Sequence, residues 1–530
     1  MKTVQHFALI SLALSIAVGN TSQAAGARIV VVEAGTRNDH LRSDIIGDTM
    51  IVGANFKGAA TVYVRSGKKW KKQVELLPGG AYTPVEVGQG VPAFGTSVAL
   101  TAPHELANPD YAIVGAPRDK PATAGSAHIF HVTGKIWKRQ AKIVPADAAK
   151  GDGFGSAVGI ERDVAVVGMP LDDNSTGSAY VFVRSGTEWR EKQKLVPGDL
   201  ARTNEFGREL VIHEGVIAVG APNHTHSGVR FTGAVYVFVR DGDTWVQQTK
   251  LTAPDAASAD NFGAALAMSG KTLIVGAPKV DAKGKKDSGA AYVFVRDGAR
   301  WKQQAKLVSS NARKSDQFGR NVATNGNVIL VGAELANEGA ESSGVAYVFA
   351  REDGVWKEKE KVLPKDTGRF INFGASVAIS GNTAVISAHN TLNEGPEFGK
   401  GVAAYVYSTV EDFSTPPYAV EPFGLRATTL GQVKHTALLQ NFPNPFNPET
   451  WLPYRLAVDA PVTLGIYNVQ GQLVWELNLG AQKTGGYLTR DTAAYWDGRD
   501  QVGETVSSGV YFYTLHAGSF QGTRRMLILK

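Results

Sequence analysis

Cysteine is absent from the 530-residue chain. That excludes disulfide staples, thiolate nucleophiles and every metal or iron–sulfur site that needs a Cys ligand. Long apolar runs are missing too. No stretch reaches the length of about 18 residues that a spanning helix needs, so a transmembrane protein is not expected. A strong charge of one sign is also lacking: 55 basic residues against 49 acidic ones leave a formal +6. An excess that small, spread along such a chain, does not make the patch or groove that nucleic acid requires, and no nucleic-acid partner is expected. The motifs G-x-S-x-G, H-E-x-x-H and G-x-x-x-x-G-K-[ST] do not occur in the contexts that give them chemistry.

Glycine is what the chain has in excess, 59 residues, against a usual share of about 7%. It follows no G-x-y period, which rules out collagen and favours a turn-rich β architecture. The 43% hydrophobic content is enough for a large core. At the amino terminus Met1-Lys2 precedes the apolar run Phe7–Val18 and a small, polar exit, GNTSQAAGA. One charge, a short apolar run and small residues describe a secretory signal peptide over 1–27, with cleavage after Ala24 or Ala27. As a helix the run would rise about 18 Å, too short for a bilayer core of about 30 Å.

The chain repeats itself. Phe-Gly pairs stand at 94, 154, 206, 262, 318 and 373, in steps of roughly 55 residues. Each is followed by an apolar run closing on Gly-Ala-Pro or a relative, as at Gly220-Ala221-Pro222 and Gly276-Ala277-Pro278. Next comes an aromatic strand such as AVYVFV or AAYVFV, and then a tryptophan, at 70, 137, 189, 245, 301 and 356. Each copy reads as four short strands. In the fifth these are 264–269, 272–277, 290–295 and 301–308, with Tyr292 and Phe294 on one face and Ala291, Val293 and Val295 on the other. Both faces are apolar, so each sheet needs a neighbour on either side. The pattern predicts an all-β fold, a seven-bladed β-propeller.

Ring closure has a sequence basis. The seventh copy ends at 403–407 without a tryptophan strand, and an orphan strand, RIVVV, stands ahead of the first copy. Residues 28–33 are therefore expected to supply the missing outer strand of the seventh blade. An open edge there would invite pairing with other chains.

The pattern FGxxVA…G…VGAP…GxAYVFVR(D/S)G…W, over about residues 28–410, resembles the FG-GAP repeat of bacterial surface proteins and, more distantly, of integrin α-subunit propellers. The resemblance implies a seven-bladed propeller with Phe packed between blades and glycines at close turns. Integrin-like versions often carry calcium in a D-x-D-x-D-G loop. The stretches 170–178, 278–289 and 334–344 lack the alternating acids that would give Ca²⁺ its oxygens. No cofactor is therefore expected, and Asp152, Asp172 and Asp173 remain the candidates for a structural calcium, against a reading as ordinary turns.

After a linker over 414–440, which opens STPPYAVEP, the segment 441–530 begins NFPNPFNPET and continues with short alternating strands, for example 462–468 and 509–518. A small Ig-like β-sandwich is expected. The motif resembles both the carboxyl-terminal sorting domain of the type IX secretion pathway and the Ig-like module of the flagellar hook-capping protein. The first implies a secretion machinery as partner, and either implies an exported bacterial protein.

Among the histidines only His224 and His226 are closely spaced. In a strand they would share a face and could reach one metal ion, though no Asp or Glu follows at a helpful spacing. The segments between the second and third strands vary in length, charge and aromatic content while the strands stay fixed. They run over 118–125, 171–177, 223–233, 279–289, 335–344 and 390–401. Such variation on a rigid repeat makes binding surfaces. The expected function is non-enzymatic: an exported or cell-surface adhesion protein whose propeller loops bind an extracellular protein or glycan. Two alternatives stay open, an exported hydrolase or lyase with a loop-built active site and a structural envelope protein.

Overall fold

The structure, a computed structural model, describes residues 41–66, 69–78, 93–101, 109–119, 124–338, 340–352, 354–363, 371–389, 403–408, 436–439, 441, 449–487 and 493–528. The expected signal peptide, closing strand 28–33, loop 390–401 and most of the linker lie outside the described residues. The chain divides into two compact units, the repeat region up to about Glu421 and the segment Pro422–Lys530.

The repeat region is all-β and propeller-like. Among the described residues it holds six four-stranded antiparallel sheets and a seventh of three strands, each with its strands in chain order. Their first strands start at Leu41, Ser97, Ala157, Glu209, Ala265, Asn321 and Ser376. Sheet 5 serves for all, with strands Ala265–Ser269, Thr272–Ala277, Ala290–Asp297 and Arg300–Leu307. Its second strand is buried throughout. In its third strand Tyr292 and Phe294 pack on Val235, Val237 and Leu251 of sheet 4. Ala291 and Val293 pack on Tyr347 and Phe349 of sheet 6. Alternation here sorts side chains between two apolar neighbours rather than between core and water. The outer strand is mostly exposed and charged, as suits a rim edge. All six four-stranded sheets shift register by one residue between third and fourth strands, as at Val293/Phe294 in sheet 5, a bulge that adds twist.

Sheet 1 also meets sheet 7. Leu41, Ile45, Met50 and Val52 pack on Ala378, Val385, Ala404 and Val406. The Ser43 and Gly47 amides donate to Ser376 Oγ and Ser380 Oγ at 3.1 and 3.0 Å.

The Phe-Gly and Gly-Ala-Pro signatures meet between sheets. Each Phe-Gly phenylalanine is fully buried and stands edge-on to two aromatic rings of its own third strand, as Phe262 does to Tyr292 and Phe294. The neighbouring glycine turns at positive φ (91° at Gly263), and its carbonyl abuts the Gly-Ala-Pro glycine of the preceding sheet. A Cβ on Gly168 would lie 2.0 Å from Gly207 O, and one on Gly276 would lie 2.0 Å from Gly319 O. In sheet 7 this position is Ser387, and the first copy, with Asn38-Asp39 where the others carry Phe-Gly, has no such pair.

The second unit contains a four-stranded antiparallel sheet ordered Leu473–Gln482, Ala460–Tyr467, Gly509–Ala517 and Phe520–Ile528. Two small sheets accompany it, one of them including Ala437–Leu438, which pairs with Tyr454 and Arg455. Val462, Leu464 and Ile466 face a core shared with Leu452, Tyr454, Leu456, Tyr513 and Leu515. The ends of the NFPNPFNPET motif are tied down there. Asn441 N donates to the buried Tyr513 hydroxyl, which donates to Leu439 O, both at 2.7 Å. Asn441 Nδ2 donates to Thr450 Oγ1 at 3.0 Å. No helix among the described residues is long and apolar enough to cross a membrane.

Candidate functional site: the loop end of the repeats

Four antiparallel strands in chain order put two kinds of segment at the same end of every sheet: the loop between strands two and three, and the connection to the next sheet. Tight hairpins occupy the other end. The two loop-end segments are stitched together. Phe206 N donates to Thr176 O, Phe262 N to Thr232 O, Phe318 N to Ser288 O and Phe373 N to Ser343 O, at 2.9–3.1 Å. The variable loops of sheets 3 to 6 are thus pinned at their carboxyl ends to the following Phe-Gly. Several tips carry exposed apolar side chains: Phe56, Leu171, Val229 and Phe231.

Beneath the tips a polar cluster recurs. In sheets 2 to 6 a lysine near the end of the fourth strand, directly across from the first aromatic of the third, reaches up to the loop end. Lys194 contacts Asp147 at 2.7 Å and Asp172 at 2.8 Å, and Tyr180 donates to Asp147 at 2.7 Å. Lys250 and Tyr236 share Asp199 in the same way, at 2.7 and 2.9 Å. Lys306 and Tyr292 share Asp255. In sheet 6 Tyr347 donates to Asn311, and Lys361 pairs with Glu338. Sheet 2 uses His128 for the tyrosine and joins Lys142 to Asp119 at 3.1 Å. Sheet 1 reverses the polarity, with Lys57 on the loop and Glu75 on the outer strand, 3.0 Å apart. Partial burial works against the Lys194 charge, yet Asp147 and Asp172 hold its pKa above the ordinary value. Burial likewise raises Tyr180, Tyr236 and Tyr292.

These clusters place the sequence candidates. Asp172 and His224 stand at one repeat position, three residues past the last residue of the second strand, where Lys57 and Asp119 stand in sheets 1 and 2. Each faces the outer-strand residue of its own sheet. Asp152 belongs to a second recurrent set, two residues before Phe. Its carboxylate accepts Ala149 N at 2.7 Å, as Asn204 does from Ala201, Asp260 from Ala257 and Asp316 from Arg313. It therefore closes a turn. Asp173 is exposed at φ 45°, between Asp172 and Asn174.

The two histidines do not lie on a strand. His224 is buried edge-on to Tyr236, its Nδ1 donating to Asn204 Oδ1 and its Nε2 accepting from Lys250, both at 3.1 Å. Burial and the Lys250 charge push its pKa down, so it is a neutral imidazole with both nitrogens engaged. His226 is half-buried in a tight turn, its backbone paired with Val229. With Lys194 on Asp172 and a turn amide on Asp152, thermal melting in millimolar Ca²⁺ is expected to match melting in EDTA within a few degrees. A larger rise in calcium would mean that loop 170–178 holds the ion.

First strands from all seven sheets line a cavity of about 250 Å³, with Ser43, Ser97, Glu209, Asn321 and Ser376 among the lining residues. Asp44, also lining it, accepts Ile45 N and Leu100 N at 2.8 Å, and burial pushes its pKa up to about 6.

The sequence does signal the clustered acceptors: Asp147, Asp199, Asp255 and the amide Asn311 each stand seven residues before a Phe-Gly phenylalanine. A search by ligand type passes over them. Another ladder runs along the rim, where Trp137, Trp189, Trp301 and Trp356 donate from Nε1 to Gln73, Gln140, Gln248 and Gln304 of the preceding sheet.

Comparison with known proteins matches this register. Residues 137–182, 189–238, 245–294, 301–349 and 356–407 fit the family model of the FG-GAP repeat. Over 227 residues the chain is 26% identical to integrin alpha-3 of Mus musculus, covering 40% of this chain and 21% of the integrin. The chain therefore spans about a fifth of that relative's length. Among solved structures, one chain of the crystal structure of the Mitotic Checkpoint Complex aligns at a TM-score of 0.45 and 12% identity, over 76% of this chain and 98% of that one. PorZ, an essential bacterial surface component of the type-IX secretion system of Porphyromonas gingivalis, aligns at 0.42 and 12%, over 95% of this chain and 61% of that one. Each FG-GAP match begins at a rim tryptophan and ends in the third strand of the next sheet, and the chain is an FG-GAP-repeat protein with a propeller-like repeat region and a carboxyl-terminal accessory unit.

Proposed function

We propose that the protein is an exported, cell-surface binding or adhesion protein that turns over no substrate. Its repeats form a seven-bladed ring over 28–413, closed by strand 28–33, and present one end to an extracellular protein or glycan. The observation that carries this reading is the contrast at that end: pinned loop bases over a repeated polar cluster, beneath tips that differ in every sheet. The ring is supported by the packing of sheet 1 on sheet 7 and by the single cavity shared by all seven first strands. The segment 441–530 acts in secretion or surface attachment. A surface groove of about 390 Å³, lined by Tyr467, Val469, Phe512 and His516, gives that unit a place to be held.

Binding of the full chain to glycan arrays and host-surface preparations tests the reading, with loop 223–233 or 390–401 exchanged for another loop of the ring. Binding lost with an exchanged loop supports it. No binding, together with turnover in a hydrolase and lyase panel that is lost in His224→Ala, would replace it with an enzyme.

Closure has its own test. Among the described residues nothing pairs with the outer edge of Ala403–Ser408. Deleting residues 28–35 from the mature chain is expected to lower the melting temperature clearly more than an equal deletion inside loop 335–344, because a full edge of backbone and one sheet face lose their cover. An unchanged melting temperature would sink the closure.

A further inference from the structure

Phe231 is out of character for its position. The residue two before the glycine that ends each variable loop sits at positive φ: 64° at Ser175, 57° at Phe231, 52° at Asp287 and 47° at Ser342. Its duty there is carried by the backbone. The carbonyls of Ser175, Phe231, Asp287 and Ser342 accept from Glu205, Asn261, Gln317 and Asn372. Serine and aspartate serve that purpose, and a bulky aromatic side chain is among the least tolerant of left-handed backbone. Phe231 is 39% exposed, as is Val229 two residues earlier, so burial does not explain it. The fold would be better served by serine.

The surroundings are cationic. Arg230 is exposed beside Phe231. Through the connection that follows, Ala259 N donates to Arg230 O and Lys279 N to Asp260 O, which sets the loop of sheet 5 against that of sheet 4. That second loop exposes Lys279, Lys283, Lys285 and Lys286, and Ser315 N donates to Lys286 O, bringing Lys314 alongside. Lys283 is held by the carbonyls of Ser309 and Ser310. Of the nearby acids, Asp260 and Asp316 are buried and close turns, while Asp281, which accepts Asp287 N, and Asp287 itself are outnumbered by the exposed cations of these segments. Arg230, Lys279, Lys285, Lys286 and Lys314 are thus exposed on three segments whose backbones are hydrogen-bonded in succession, a cationic strip along the loop end. Such a strip attracts anions over a Debye length and is screened by salt.

We propose that this strip binds an anionic polysaccharide, with a sugar ring stacked on Phe231 and the carboxylates or sulfates of successive residues on the lysines. This rests on the reading of the loop end as a binding surface. A repeating polyanion suits the strip better than a folded partner does, because the cations run along three successive segments beyond a flat, exposed aromatic face.

The test uses the full chain and calorimetric titration with heparin, polygalacturonate, neutral dextran and polyglutamate. Heparin and polygalacturonate separate sulfate from carboxylate recognition. At least one is expected to bind, with affinity falling more than tenfold between 0.1 and 0.5 M salt, roughly as counterion screening dictates, and dextran is expected not to bind. Phe231→Ser, which installs the residue of the equivalent loops, and the pair Lys285→Glu with Lys286→Glu are each expected to weaken binding about tenfold or more. Phe231→Ser is expected to leave the melting temperature unchanged or raised. Equal binding to polyglutamate overturns the proposal, as does polysaccharide binding that both variants leave intact. A chain that binds another extracellular partner through loop 171–177 or 335–344 overturns this assignment and leaves the adhesion reading standing. A chain that binds nothing removes both.

Discussion

Gly276→Ala is expected to destabilise the repeat region by about 3 kcal/mol or more, because the clash falls between two backbones. The added Cβ would stand 2.0 Å from Gly319 O and 3.1 Å from Ala265 Cβ. No flexible side chain lies there to move aside. Gly319 itself turns at φ 91°, its own Cβ position filled by Ala290 O at 2.2 Å, so neither partner can retreat without dragging its sheet. A hairpin glycine provides the control. Gly298 has φ 60° and open space around it, so alanine there carries only the backbone penalty of about 1 kcal/mol. Thermal melting of both variants decides the matter, and equal losses would contradict the close-contact account. Ser387 provides natural support, since the side chain appears in the sheet whose neighbour carries no Phe-Gly pair.

Phe262→Ala should cost about 3–5 kcal/mol. The ring is fully buried and packs edge-on to Tyr292 at 5.4 Å and Phe294 at 5.9 Å, in the core shared by sheets 4 and 5. Removing it opens a cavity between two sheets whose backbones already touch, so the space cannot collapse, and the edge-on aromatic contacts are lost as well. Chemical denaturation would read the loss. A change below about 1 kcal/mol would mean that the sheets are not held by these rings.

The repeat architecture was legible because it rests on local, recurring pattern. Tyr292 and Phe294 alternate with Ala291 and Val293, and the two sets do meet different sheets. The expected strand 272–277 forms as Thr272–Ala277. The polar clusters leave no such local pattern, since each joins residues from three places: Asp147 in the connection ahead of a sheet, with Tyr180 and Lys194 on the third and fourth strands of that sheet. Only the residue spacing to Phe-Gly betrays them. Judged by residue type, Asp172 and His224 resembled metal ligands. Judged by repeat position, they are the partners of the outer-strand lysines Lys194 and Lys250. In the carboxyl-terminal unit the strands Thr450–Leu452 and Ala494–Trp496 are too short for alternation to reveal. Spacing to the loop-ending glycine shows Phe231 where other loops carry serine or aspartate, but the conflict itself lies in a backbone angle that sequence does not give.

Hydrogen exchange of the full chain, with and without a captured extracellular ligand, tests the central claim most directly. The account predicts slowed exchange in the loops between second and third strands and in the connections ahead of Phe-Gly, with the hairpins at Asp241-Gly242 and Asp297-Gly298 unchanged. Protection confined to those hairpins or to the rim strands would contradict it.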